Sequence, residues 1–185
     1  MLGLFNKKKT HLSRAEFVAF MLSWQQEITS FLLESAHKWC EKFPMISFQP
    51  DPYECEILSL CILSLVFQDK DFDLRNTIYI EYCRHRNFDN DTTKRFLEHL
   101  NLRCIRYYNA YSEFAKGNRS GGFFLGSVVA NGLKGGESDK IELGMVESYA
   151  ASSIFINSLK STFEFIGDLK KKYDLSEAIP VFVEK

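Results

Sequence analysis

The fold is decided by residues 51–67, DPYECEILSLCILSLVF. Asp51 is a typical N-cap, the proline that follows it suits the first position of a helix, and Glu54 stands at the third position. From residue 57 to residue 67 no side chain is more polar than the serines at 59 and 64. A helix that is apolar on all sides is buried among other elements. The segment therefore predicts a central helix whose residues 57–67 lie in the core.

Helix signals recur on both sides of this segment. Ser13-Arg-Ala-Glu16 is a capping box, and the helix that it opens should continue to about Phe43, before Pro44. The further expected elements are helices over about 72–86 and 92–116, a short apolar helix or hairpin over 121–133, and a long last helix from Ser138 and Asp139 to about Tyr173. The pattern predicts an all-α, single-domain bundle of about six helices over 1–185. We expect residues 1–11 to be flexible and residues 174–185 to form a loosely attached tail.

Composition restricts the class of protein. The chain has 185 residues, of which 45% are hydrophobic and 25% charged, so it can build a core without metal or disulfides. The net charge of −1 argues against general nucleic-acid binding. The longest strongly apolar run, 57–67, is half the length that a membrane-spanning helix requires. No signal peptide is evident after the basic N-terminus.

The cysteines indicate a reducing compartment. They are five in number, lie in apolar contexts and contain no Cys-x-x-Cys pair: Cys40, Cys55, Cys61, Cys83 and Cys104. An odd, scattered set is typical of reduced thiols in a cytoplasmic protein. We therefore expect a cytoplasmic location, no disulfides, and no metal or other cofactor.

The fourth predicted helix carries the one pattern that points to chemistry. Arg95, His99, Arg103 and Arg106 occupy one sector of its helical wheel, and Tyr107 lies in the apolar sector beside them. Guanidinium groups pair with planar oxyanions, so this stripe could bind a phosphate or a carboxylate. The alternatives are a solvated face, which we expect, or an internal ion-pair role if the acidic segment 69–73 folds over it.

Two other patterns carry weaker signals. Cys83, His85, His99 and Cys104 are possible zinc ligands, but the spacing that structural zinc sites use is missing. Seven of the ten glycines lie between 117 and 136, yet the Walker phosphate-binding pattern is absent. We interpret the cysteines as separate core thiols and assign no metal or nucleotide site.

Small residues recur every four positions at Gly122, Gly126 and Ala130. On a helix they share one face and allow a neighbouring backbone to approach closely. Core packing is the favoured interpretation of 121–133, and a partner-facing or membrane-surface segment is the alternative.

Three functions follow from these patterns. The first is a non-catalytic helical protein-binding or regulatory module, which the surplus of aromatic residues favours because aromatic side chains are enriched at interfaces. The second is a binder of a small anion, or an enzyme acting on one, through the stripe at 95–107. The third is a membrane-surface protein that uses 121–133 and the lysines at 7–9. The expected partner is another protein or a second copy of the chain.

Overall fold

The structure, a computed structural model, describes residues 9–44, 48–67, 71–118, 120–135 and 143–179. This part of the chain contains six helices and one pair of two-residue strands. In chain order they are β1 (Thr10–His11), α1 (Arg14–Lys42), α2 (Pro52–Phe67), α3 (Phe72–His85), α4 (Asn90–Ala115), α5 (Gly121–Leu133), α6 (Met145–Lys172) and β2 (Tyr173–Asp174). The predicted all-α, single-domain bundle is confirmed.

Helix α2 forms the centre of the bundle, as its sequence predicts. It packs against each of the other five helices, and every side chain from Ile57 to Ser64 is buried. At its start the carboxylate of Asp51 accepts a hydrogen bond from the Tyr53 N–H at 2.8 Å, which confirms the predicted cap.

A small hydrogen-bond network explains how serine is tolerated in the middle of α2. The hydroxyl of Ser59 donates to the Glu56 carbonyl at 2.7 Å and accepts from the amide of Gln25 on α1 at 2.7 Å. Thr29, one turn further along α1, donates to the same Ser59 oxygen at 2.9 Å. Because a buried polar group is costly only when it lacks a partner, this network locks α1 to α2 at little cost.

Helix α1 begins at the capping box. The Glu16 N–H donates to Ser13 Oγ at 3.3 Å, and the Ser13 N–H donates to the Glu16 carboxylate at 2.9 Å. The flanking residues Leu12 and Phe17 are both buried. The helix ends at Lys42, before Pro44, as expected.

Helix α5 packs closely on α4 and α6 through its glycines. A Cβ atom at Gly126 would overlap the carbonyl group of Ser148 in α6, and one at Gly122 would overlap the ring of Tyr149. Ala130 is fully buried on the same face. The small-residue face of 121–133 is therefore in the core, and the segment is a helix rather than a hairpin.

The described parts of the two chain ends lie against each other. Thr10 and His11, within the segment expected to be flexible, pair in parallel with Tyr173 and Asp174. In the described part of the tail, 174–179, three apolar side chains are buried: Leu175, Ala178 and Ile179. Residues 1–8 and 180–185 lie outside the described part of the chain.

The last helix begins later than its sequence predicts. Ser138 and Asp139, the expected start, lie outside the described residues, but Leu143 and Gly144 are not helical. Gly144 is the N-cap of α6 in an extended conformation, because glycine is a poor helix former and a common cap. Across the described residues, no helix is both long and apolar enough to cross a membrane.

Candidate functional site

The predicted stripe of α4 is split by the packing of α4 on α2. Arg103 is only 4% exposed, and its Nη2 lies 3.0 Å from Glu54 Oε1 in the first turn of α2. The expectation of a solvated face is therefore wrong for Arg103. The counter-charge also differs from the acidic segment considered from the sequence, since Asp71 of that segment pairs with Arg14 at 3.2 Å and Asp69 lies outside the described residues.

His99 lies at the outer edge of the same pair. Its Nε2 is 3.6 Å from Glu54 Oε1, and its ring stacks on Tyr53 with the ring centres 6.4 Å apart. The imidazole is about one-third exposed, so the three groups form a short line from the core to the surface. Glu54 therefore balances the charge of Arg103, one of the three arginines that made the stripe a candidate anion site.

Tyr107 is buried one turn beyond Arg103. Its ring stacks on that of Phe155 in α6, with the ring centres 5.9 Å apart. Its hydroxyl occupies the space that a Cβ atom at Gly132 would need. Burial holds the pKa of Tyr107 well above its usual range, although the nearby Arg103 charge acts in the opposite direction. Tyr107 is thus a neutral core side chain.

The remaining two stripe residues face solvent. Arg95 is exposed, and its Nε donates to the Asp91 carbonyl of its own helix at 3.4 Å. Arg106 is exposed on the surface of α4. The structure therefore brings together His99, Arg103 and Glu54, and it leaves Arg95 and Arg106 outside that group.

Several buried polar atoms around the pair have no hydrogen-bond partner among the described residues. They are Glu54 Oε2, Arg103 Nε, His99 Nε2 and Tyr107 Oη. Leaving buried polar atoms unpaired costs free energy, so the α2–α4 contact is less well satisfied than the Ser59 network. Glu54 carries no sequence signal as a partner of Arg103, because a glutamate in the first turn of a helix has an ordinary capping role.

A second polar contact between α2 and α4 involves two thiols. Cys61 Sγ and Cys104 Sγ are 3.0 Å apart, and the hydroxyl of Tyr79 in α3 is 3.5 Å from Cys104 Sγ. All five cysteines of the chain are free thiols in the structure. The interpretation of the cysteines as separate is wrong for this pair, since Cys61 and Cys104 meet across 43 residues of sequence.

Surface pockets lie apart from the Glu54–Arg103 pair. One of about 240 Å³ between α2, α3 and α4 is lined by Ser64, Arg75, Asn101, Cys104, Ile105 and Tyr108. One of about 470 Å³ between α1 and α3 is lined by Arg14, Ala15, Val18, Ala19, Leu22, Thr77, Glu81 and His85. The larger pocket combines apolar side chains with a few polar groups, as ligand pockets commonly do, whereas the smaller one is lined mainly by polar side chains.

The possible zinc ligands are not brought together. Cys104 contacts Cys61, whereas His99 contacts Glu54. Among the described residues, no group of three or more histidine, cysteine, aspartate or glutamate side chains is arranged to hold a metal ion.

Large apolar side chains are exposed where α5 meets α6. Phe123 and Phe124 directly follow Gly122, which contacts Tyr149, and Met145 and Val146 lie about one turn before Tyr149. All five apolar side chains are more than one-third exposed, Met145 and Val146 by more than 65%. We call this group the α5–α6 patch: Phe123, Phe124, Met145, Val146 and Tyr149. Phe123 and Phe124 were expected in the core. Instead, the glycine face of α5 packs into the core, and these two side chains are exposed.

The chain was compared with family models, with curated proteins and with solved structures, and none of them matches it.

Proposed function

We propose that this chain is a non-catalytic helical protein-binding module, and that the α5–α6 patch is its contact surface. The observation that supports the proposal is the exposure of five large apolar side chains around one contact between two helices. Exposed aromatic and methionine side chains near one helix contact favour a protein interface, where these residue types are enriched.

Close packing beneath the patch supports a preformed binding surface. Phe123 and Phe124 are carried by a helix whose glycines pack directly against Ser148 and Tyr149. Tyr149 contributes both to this contact and to the exposed surface. A surface that is already ordered loses less entropy on binding, which favours affinity.

A protein fits the patch better than a membrane surface. Lipid anchoring of a soluble domain needs an apolar face together with a cluster of basic residues. Lys9, the described member of the basic cluster, donates to the carbonyl of Lys170 at the far end of α6. Lys170 is 21 residues from Tyr149, so at ~1.5 Å per residue the two features are roughly 30 Å apart.

The alternative function, binding of a small anion through Arg95, His99, Arg103, Arg106 and Tyr107, has less support. Glu54 pairs with Arg103, and Tyr107 is buried. Of the residues in that proposal, Arg95 and Arg106 keep their side chains on the surface. We also propose a cytoplasmic location, which the odd and scattered set of five cysteines in the sequence supports.

The proposal is tested by photocrosslinking at the patch. A benzophenone amino acid is placed at Phe124 or, as a matched control, at Phe163, an equally exposed aromatic residue elsewhere on α6. We expect a discrete crosslinked partner from the Phe124 position only. Direct binding of that purified partner should be weakened at least about tenfold by Phe124→Asp and unchanged by Phe163→Asp.

Other outcomes separate the alternatives. Crosslinking to a second copy, together with a dimer in sedimentation, would make self-association the function of the patch. Binding of the wild-type protein to anionic vesicles that Phe124→Asp abolishes would contradict the proposal and favour the membrane surface. Equal crosslinking at both positions would contradict any specific role of the patch.

A further inference from the structure

Cys61 and Cys104 have the geometry of a reduced pair that is ready to oxidise. Their sulfur atoms are 3.0 Å apart, whereas a disulfide requires about 2.05 Å. An approach of about 1 Å by two side chains on adjacent helices would close the bond. Since α2 and α4 already pack against each other, the backbone holds the two thiols in this position.

The two thiols differ in their access to solvent. Cys61 is fully buried in the central helix, whereas Cys104 lines the 240 Å³ pocket between α2, α3 and α4. A small reagent that enters the pocket therefore meets Cys104 first and finds Cys61 directly behind it. Attack at an accessible thiol, followed by a second thiol that resolves the product, is the arrangement that redox-active cysteine pairs use.

The groups around Cys104 favour its thiolate. Hydrogen bonding to Cys61 lowers the pKa of Cys104, burial opposes this effect, and further hydrogen bonds from Tyr79 and Ser64 and the positive charge of Arg75 lower it again. Arg75 lies in the wall of the same pocket, and its Nε–H has no acceptor among the described residues.

The other cysteines have the opposite environment. Burial raises the pKa of Cys55 to about 12, and it also raises the pKa of Cys40 and of Cys83. The pKa of Cys61 is raised as well, chiefly by its complete burial. Cys104 is thus the one cysteine of the five that combines a pocket with neighbours that stabilise its charge.

From the pair, the pocket and the position of Arg75, we propose that Cys104 is a hydroperoxide-reactive thiol and that its oxidation produces an intramolecular disulfide with Cys61. The proposal assigns a redox modification site to the α2–α4 contact. It does not rest on the protein-binding function, because the α5–α6 patch shares no residue with it.

The reaction has two balanced steps. The Cys104 thiolate attacks one peroxide oxygen, a sulfur–oxygen bond forms, and the oxygen–oxygen bond breaks to release an alkoxide or hydroxide, which takes up the proton that the thiol had lost. The Cys61 thiol then attacks the sulfur of the Cys104 sulfenic acid. The sulfur–sulfur bond forms, and the hydroxyl leaves as water with the proton of Cys61. Two thiols are oxidised by two electrons, and one hydroperoxide is reduced to an alcohol and water.

The direct test is the oxidation of the full-length reduced protein by one equivalent of hydrogen peroxide. After the remaining thiols are blocked, mass spectrometry without reductant should show a peptide pair that joins Cys61 to Cys104. Free thiols should fall from five to three, and dithiothreitol should restore all five. Iodoacetamide at pH 7 should label Cys104 at least about tenfold faster than Cys40, which is half-buried like Cys104.

Three variants complete the test. Cys104→Ser should keep all its remaining thiols under the same peroxide dose, and Cys61→Ser should stop at a Cys104 sulfenic acid that dimedone captures. Cys40→Ser should form the same disulfide as the wild-type protein. The peptide map of the wild-type protein decides the pairing even where a variant is unstable. Oxidation of Cys40 before Cys104, a disulfide between two molecules, or no loss of thiols at all would overturn the proposal.

Discussion

Two helix contacts in this bundle are built in opposite ways. Between α5 and α6, two glycines of α5 allow a close approach. Gly126 lies against the backbone of Ser148, and Gly122 lies against the ring of Tyr149. Between α2 and α4, the contact carries the Glu54–Arg103 pair and two thiols. We call them the glycine contact and the polar contact. The first is specified by volume and the second by charge and hydrogen bonding, so they should respond to different kinds of substitution.

The comparison also separates structural from chemical roles. The described atoms of the glycine contact offer no titratable group apart from the tyrosine ring, whereas the polar contact holds a carboxylate, a guanidinium and a thiol with access to a pocket. Reactivity should therefore be concentrated at the polar contact. Partner binding, in our proposal, is placed on the exposed side of the glycine contact.

The largest expected effect is at the polar contact. Arg103→Met removes the counter-charge of Glu54, which is itself buried. An unpaired buried charge typically costs about 3–5 kcal/mol, so the free energy of unfolding should fall by that amount. Chemical denaturation measures it, and Arg106→Met is the matched control, since Arg106 is exposed on the same helix. Equal losses in the two variants would show that burial of Arg103 has no energetic role.

The next effect tests the glycine contact. Gly126→Ala places a Cβ against the Ser148 carbonyl, and we expect a loss of about 2 kcal/mol because the backbone there cannot give way. Gly167→Ala, in an open position of α6, should instead gain up to about 1 kcal/mol through helix propensity. Opposite signs in denaturant unfolding confirm close packing. Stabilisation by both substitutions would contradict it.

The smallest effect concerns an exposed ion pair at the chain ends. His11 Nε2 contacts Glu177, and hydrogen bonding to this carboxylate raises the pKa of His11 above 6.5, with Asp174 acting in the same direction. A raised folded-state pKa contributes stability below the unfolded value of 6.5, and this is lost as pH rises through the folded value.

The measurement is amide exchange at Leu12, whose N–H donates to the Asp174 carbonyl at 3.0 Å. Its protection factor, corrected for the intrinsic rate, should decrease as pH rises through this window. His11→Gln should remove the pH dependence. Protection that increases with pH in the wild-type protein would contradict the assigned role of His11.

The features that the sequence could predict are those with local signals. The capping box at Ser13–Glu16, the cap at Asp51 and the apolar run 57–67 each depend on neighbouring residues alone, and the structure has them as predicted. The glycine face of α5 belongs to the same group, because its spacing of four residues is itself the signal.

The rest depends on partners that are distant in sequence. Arg103 is separated from Glu54 by 49 residues, so its burial required knowledge of how α2 and α4 pack. One signal was present in the spacing of the buried positions of α4, which lie alternately four and three residues apart at 96, 100, 103, 107 and 110. Arg103 occupies one of these positions. On the helical wheel, Leu100, Cys104 and Tyr107 fall in the apolar sector, whereas Arg103 falls in the neighbouring polar one.

The two-residue strands had no detectable signal. Thr10 and His11 pair with Tyr173 and Asp174 across nearly the whole chain, and two residues are too few to show a strand period. The contact of Cys61 with Cys104 has no sequence signal either, because each cysteine alone fits the apolar face of its own helix.

A double-mutant cycle on Glu54 and Arg103 tests the central claim most directly, namely that the charge of Arg103 is used inside the fold. The free energies of unfolding of Glu54→Gln, Arg103→Met and the double variant are compared with that of the wild-type protein. We expect the double variant to lose at least about 2 kcal/mol less than the sum of the single losses, because each single change leaves a buried partner without its counterpart. Losses that add to within about 0.5 kcal/mol would contradict the claim and return Arg103 to the candidate anion site.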